Sequence, residues 1–236
     1  MNIQLVAVGS RPWDYVVGHW GISLLIDHHI LFDTFASYRK LSRKLNDIQV
    51  PITQIDTVVI SHAHWDHIGG LWELLGQRAG LNVYLPPNTD EATIRRVQDA
   101  RGIVTRSAGE KMIAPNVYLS QELLGGFKEG HVVEQSLVIK TERGLVIVAG
   151  CAHPGIVEIV AKASTLFDAP VYGVIGGFHL MHSSMSKVKA CAEQLKQAGV
   201  SMVAPTQCTG WRAEREFKSV FKENFISLHE GRNLQF

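Results

Sequence analysis

An α/β fold in four layers, helices outside two facing sheets, is predicted for this 236-residue chain from three features. Short apolar runs bounded by Gly, Pro or polar turns recur along it, as buried strands do. Segments with apolar residues at helical spacing lie between and after those runs. SLLIDHHILFDT from Ser23 and SLVIKTERGLVIVAG from Ser136 are both strand, polar turn, strand, so each half carries one hairpin followed by helices, which suits an αββα arrangement.

The strand runs, in order, are Ile3 to Val8, Leu24 to Ile26, Ile30 to Phe32, Val58 to Ile60, Leu137 to Ile139, Leu145 to Ala149, Val171 to Ile175 and Met202 to Ala204. Helical spacing marks Gly70 to Gln77, Asp90 to Ala100, Gly155 to Leu166, Ser186 to Ala198 and Ala213 to Asn224. Residues 86–130, with PPN at Pro86 and GGFKEG at Gly125, read as a helix plus loops packed over one end. No low-complexity tract or Ser/Gly linker interrupts the chain, and a single domain over 1–236 is expected.

An apolar content of 46% supports a sizeable core. Lys plus Arg, 23, nearly balances Asp plus Glu, 22, so no basic footprint points to a nucleic acid or an anionic membrane, and a small-molecule substrate is expected. MNIQLVAVGS lacks the features of a signal peptide, and no apolar run reaches bilayer length. Three widely spaced cysteines, Cys151, Cys191 and Cys208, argue for reduced thiols. A cytoplasmic protein is expected, of unspecified oligomeric state.

The strongest chemical signal is SHAHWDHIGGL from Ser61. His62 and His64, two apart on extended backbone, project to one side and can meet one ion. Asp66 and His67 fall where the chain turns toward a helix, where they can face a second ion, and Gly69 and Gly70 permit the turn. The alternative is a His-rich surface turn, but the motif comes directly after a buried strand and precedes a glycine pair. Such donors suit zinc, one ion or two, with manganese or iron possible.

SHAHWDHIGGL resembles the metal-binding signature of the metallo-β-lactamase superfamily. FDT at Phe32, GCAHPGI from Gly150, GGFHL from Gly176 and PTQCTG from Pro205 resemble the branch that includes the dihydropterin-ribofuranosylaminobenzene-phosphate synthases. The resemblance covers about Ser23 to Gly210. It implies a metallo-β-lactamase-type αββα sandwich and a metal-dependent hydrolase working through metal-activated water, with a pterin-related synthase or a non-catalytic binding module as alternatives. Each later motif also lies just past an apolar run, where open α/β sheets bind ligands.

His153 is accordingly expected to join His62 and His64 around the first ion, the alternative being a cap for the turn at Pro154. His179 is expected beside Asp66 and His67 at the second ion, or as a donor behind the ligands or a substrate contact. Asp66 can also orient the nucleophile. The resemblance makes Asp33 a support for the site loops through hydrogen bonds. The branch usually has histidine where this chain has Gln207, and the usual bridging carboxylate is not evident. Cys151 or Cys208 can compensate as thiolates, or both can be buried core thiols. Trp65 and Phe178 are expected to line the substrate pocket, with Trp13, Trp20 and Trp211 as further candidates. Cys191 is assigned to packing.

Overall fold

The computed structural model describes residues 1–106, 108–127 and 130–236, and for residue 127 only the backbone. It divides into two compact units, residues 1–108 with 229–236, and residues 109–228.

The first unit opens with β1 (Asn2–Gly9), α1 (Pro12–Val16), β2 (Gly21–Ile26) and β3 (Ile30–Phe32). Next come α2 (Tyr38–Asp47), β4 (Thr57–Val59), α3 (Trp65–Ile68), α4 (Leu71–Gln77), β5 (Asn82–Leu85), α5 (Glu91–Asp99) and β6 (Ile103–Arg106). The second contains β7 (Lys111–Ala114), β8 (Val117–Leu119), β9 (Leu123–Phe127), β10 (Gly130–Glu134), β11 (Leu137–Thr141) and β12 (Gly144–Ala149). It continues with α6 (Ile156–Phe167), β13 (Val171–Gly177), α7 (Met185–Gln197), β14 (Met202–Thr206) and α8 (Trp211–Phe221). β15 (Asn233–Gln235) returns the chain to the first unit.

One sheet runs β15-β1-β2-β3-β4-β5-β6 and the other β14-β13-β12-β11-β8-β7, with β9 and β10 forming a separate ribbon. The two hairpins expected from Ser23 and Ser136 are present. β2 pairs antiparallel with β3, Leu25 opposite Leu31, and β11 pairs antiparallel with β12, Ile139 opposite Val146. Each hairpin then feeds parallel strands, β3 to β6 in one sheet and β12 to β14 in the other. Parallel strands end on the same edge of their sheet, so the segments after β3 and β4 share one edge and those after β12, β13 and β14 share another.

Apolar residues drive both units together. In the first, Leu41 and Leu45 of α2, Leu71, Leu74 and Leu75 of α4 and Val97 of α5 pack with Leu31, Val58 and Val83. In the second, Ile159 and Val160 of α6, Val188 and Leu195 of α7 and Phe217 of α8 pack with Ile147, Val174 and Val203.

Residues 86–130 correct the expectation of a helix plus loops. Besides α5 they hold β6, β7, β8 and β9. β6 and β7 are four residues long with a charge at one end (Arg106, Lys111), β8 has three residues, and two glycines interrupt β9, so none presents a long apolar run. β8 forms because Val117 and Leu119 are buried while Leu119, Tyr118 and Val117 pair with Leu137, Val138 and Ile139. Residues 107, 128 and 129 of that stretch lie outside the described residues.

The closing segment is tied to the first unit by charge. Glu230 meets Lys40 at 3.1 Å and Lys44 at 3.0 Å and accepts the Val8 amide at 3.2 Å. Burial would raise the Glu230 carboxyl, but Lys44, the Val8 N–H and Lys40 outweigh it and hold it below 4.5. A group depressed on folding stabilises above its unfolded value and loses that contribution as pH falls through the folded one. Glu230→Gln is expected to lower unfolding free energy by about 1 kcal/mol at pH 7, a value set by partial exposure. In urea titrations the gap should be full above pH 4.5 and close at lower pH.

Candidate metal centre

Asp33 comes just after β3 with a left-handed backbone, φ 58°, and its carboxylate is fully buried. It accepts the Ser61 amide at 2.7 Å, the Ser61 hydroxyl at 2.8 Å and His67 Nδ1 at 2.6 Å. Ser61 spends its one hydroxyl proton on Asp33, so the same oxygen accepts from His62 Nδ1 at 2.8 Å. In both His62 and His67 Nδ1 is therefore the donor to its oxygen partner, which turns Nε2 away from that partner.

His62 Nε2 lies 3.0 Å from His64 Nδ1. Two nitrogens on one tetrahedral zinc are about 3.3 Å apart, given Zn–N bonds of about 2.0–2.1 Å. Asp66 Oδ2 lies 3.3 Å from His67 Nε2. Burial would raise Asp66, but the charge and hydrogen bond of His67 lower it. Burial would likewise lower His67, and Asp66 and Asp33 on its two sides raise it well above 6.5. Gly21 has no room for a side chain, because a Cβ there would overlap the Asp66 carbonyl oxygen.

In the second unit, Cys151, His153 and His179 bring one donor atom each within 4.8 Å of one another. Their rings and thiol come from the ends of different strands, Cys151 and His153 after β12 and His179 after β13. His153 Nδ1 donates to Glu134 Oε2 at 2.8 Å, and the His153 and His179 rings are 4.5 Å apart. Burial would raise the Cys208 thiol, but hydrogen bonds with Cys151 and His179 bring it down to about 6. The same hydrogen bond, His179 donating to Cys208, raises His179 against the opposing effect of burial. Gln207 is buried and accepts from Cys151 Sγ through Oε1 at 3.3 Å. A Cβ on Gly177 would come within 2.6 Å of Cys208 Sγ and 2.7 Å of Gln207 Oε1, so this strand end must be glycine for both side chains to fit.

Non-glycine residues take left-handed backbone just past each of these strands: Asp33, Ala152 at φ 57°, His179 at 52° and Gln207 at 51°. Each costs roughly 1–2 kcal/mol, strain of the kind that concentrates at functional sites. In each unit, imidazoles with Nδ1 anchored on oxygen, beside the Asp66 carboxylate in the first and the Cys151 thiol in the second, are donors of the kind that suit a borderline divalent ion.

Within the first unit the structure thus brings His62, His64, Asp66 and His67 together over Asp33. Within the second it gathers Cys151, His153, His179, Gln207 and Cys208. Phe178 is a correction: it is 2% exposed and packs edge to face on Phe217 at 5.3 Å, because it turns into the core while its neighbour His179 turns out. Trp65 is 46% exposed, with Tyr15 at 5.9 Å. Trp20 is buried, whereas Trp13 and Trp211 are exposed. Cys191 packs on the core from α7, and burial pushes its thiol to about 11.

Glu134 escaped the sequence analysis. Its only local signal is a lone acid in VVEQSLVIK, three residues before the apolar run at Leu137.

The sequence profile of the metallo-beta-lactamase superfamily matches residues 23–205. A 7,8-dihydropterin-6-methyl-4-(beta-D-ribofuranosyl)-aminobenzene-5'-phosphate synthase from Methanocaldococcus jannaschii is 29% identical, the match covering 100% of this chain and 97% of the relative. The crystal structure of a metal-dependent hydrolase of the β-lactamase superfamily is 26% identical, with a TM-score of 0.80 over 100% of this chain and 99% of that one. Human tRNase Z, short form, shares the fold at a TM-score of 0.66 and 14% identity, over 100% and 99% of the two chains. No helix among the described residues is long and apolar enough to cross a membrane.

Asp33→Ala would leave the Ser61 amide, the Ser61 hydroxyl and His67 Nδ1 without their shared acceptor. Losing one partner of a buried pair costs about 3–5 kcal/mol, and urea unfolding of the metal-stripped protein is expected to show a loss of that size.

Proposed function

The chain belongs to the metallo-beta-lactamase superfamily, and on that premise we propose that it is a metal-dependent hydrolase of a small molecule. One observation carries this reading: buried imidazoles in both units hold Nδ1 on an oxygen partner, which presents Nε2 as a metal donor. We assign His62, His64 and His153 to one ion, and Asp66, His67 and His179 to a second. Cys151, grouped with His153 and His179, supplies a thiolate in place of the missing bridging carboxylate. Gln207 and Cys208 stand behind Cys151, and Asp33 behind Ser61 and His67. Zinc matches this nitrogen-rich set, and manganese or iron can replace it.

When bound, such an ion supplies Lewis acidity and a water acidified to a pKa of about 7. Asp66 Oδ2, 3.3 Å from His67 Nε2, can also orient the attacking water. Trp65, next in sequence to both His64 and Asp66, offers a partly exposed ring to the substrate. A phosphorylated or pterin-like substrate is favoured by the likeness to the M. jannaschii enzyme. A cytoplasmic setting belongs to the same reading, as the three cysteines form no disulfide.

A second reading draws on that relative's name: a synthase using the same residues to polarise a substrate for condensation. Metal analysis of purified protein, with ester, lactone, thioester and phosphodiester assays after it, decides between them. The expected result is one or two bound ions, chelator-sensitive hydrolysis of at least one class, and a fall to the uncatalysed rate in His62→Ala. Bound metal with no hydrolysis would favour the synthase. Failure to bind metal when supplied in excess would refute both.

A further inference from the structure

Glu134 ends β10 with its carboxylate buried, 2% exposed. Oε1 accepts the amides of Cys151 at 2.8 Å and Ala152 at 2.9 Å. Oε2 accepts the His153 amide at 2.9 Å and His153 Nδ1 at 2.8 Å. An ionised carboxylate has about four acceptor sites, and four donors fill them. We propose that Glu134 is the positioning residue for His153, fixing at once where its ring sits and which ring nitrogen carries the proton.

Three successive amides converge on one carboxylate only because Ala152 takes left-handed backbone, φ 57°. Consecutive N–H groups turned inward in this way form an anion-holding concavity, and here the anion is a side chain of the same unit. The β9–β10 ribbon delivers it. Glu134 pairs with Leu123 across the ribbon, and two residues further along, Gly125 lies so close to the loop that a Cβ would overlap the His153 carbonyl carbon.

An acceptor-only partner at Nδ1 forces the proton onto that nitrogen and the lone pair onto Nε2. Glu134 has no acceptor site left for an ion, so it acts through His153. A merely structural anchor would need the three amide bonds but not the fourth, to the ring.

This role presupposes the metal-dependent reading above, so its test includes a measurement that needs no metal. Long-range proton–nitrogen correlation spectra of the wild-type protein, uniformly labelled with nitrogen-15, report the His153 tautomer. The Nδ1–H form is expected, and an Nε2–H form would overturn the role even if Glu134 variants fail to fold. Glu134→Gln keeps the side-chain volume but replaces acceptor Oε2 or Oε1 by an amide NH2. Competition with a chromophoric chelator is expected to show zinc affinity lowered 10- to 100-fold, with Glu134→Asp recovering part of it. A folded, destabilised Glu134→Gln protein with unchanged zinc affinity would overturn the role. If the wild type takes up no zinc, the metal reading fails, and the tautomer alone decides for or against Glu134.

Discussion

A charge taken out of water must be met by donors, and two buried carboxylates impose that requirement here. Asp33 is met by Ser61 and His67, Glu134 by the backbone and ring of the Cys151–His153 loop. Desolvating either one without partners would cost several kcal/mol. The loops that satisfy them are therefore held in one conformation, and those loops carry the histidines. Charge burial thus sets ring orientation at the candidate metal centre.

The fold supplies this arrangement in duplicate. In each sheet an antiparallel hairpin leads into parallel strands, and the acid, imidazole and thiol groups lie past the ends of those strands. A parallel strand needs a crossover to return, so beyond its last residue the chain turns toward a helix. Asp33, Ala152, His179 and Gln207 sit in those turns with left-handed backbone. Several kcal/mol of conformational strain, summed over four such positions, persists because the hydrogen bonds around it admit no relaxed alternative.

The sequence revealed the elements with the longest apolar signals. β11 and β12 and the hairpin from Ser23 were legible because each is a continuous buried run, and SHAHWDHIGGL because no packing role explains its histidines. β6 to β8 were not, since strands of three or four residues, two of them with a charged end, have neither the length nor the alternation of a strand signal. Phe178 was misread because adjacency to His179 says nothing about which side of the backbone a ring leaves. Glu134 was overlooked for a related reason: its importance lies in amides 17 to 19 residues away, and no local pattern encodes that distance.

A superfamily with this much preorganised support can serve several reactions, since the ring nitrogens and their carboxylate backing are independent of the bond to be broken. An ion that ignores those nitrogens is incompatible with such support. Anomalous scattering at the zinc absorption edge, from crystals grown with zinc, locates the ion directly. The account predicts a peak contacting His62, His64 and Nε2 of His153. A protein that crystallises with zinc bound only at surface side chains, leaving these imidazoles untouched, would contradict it.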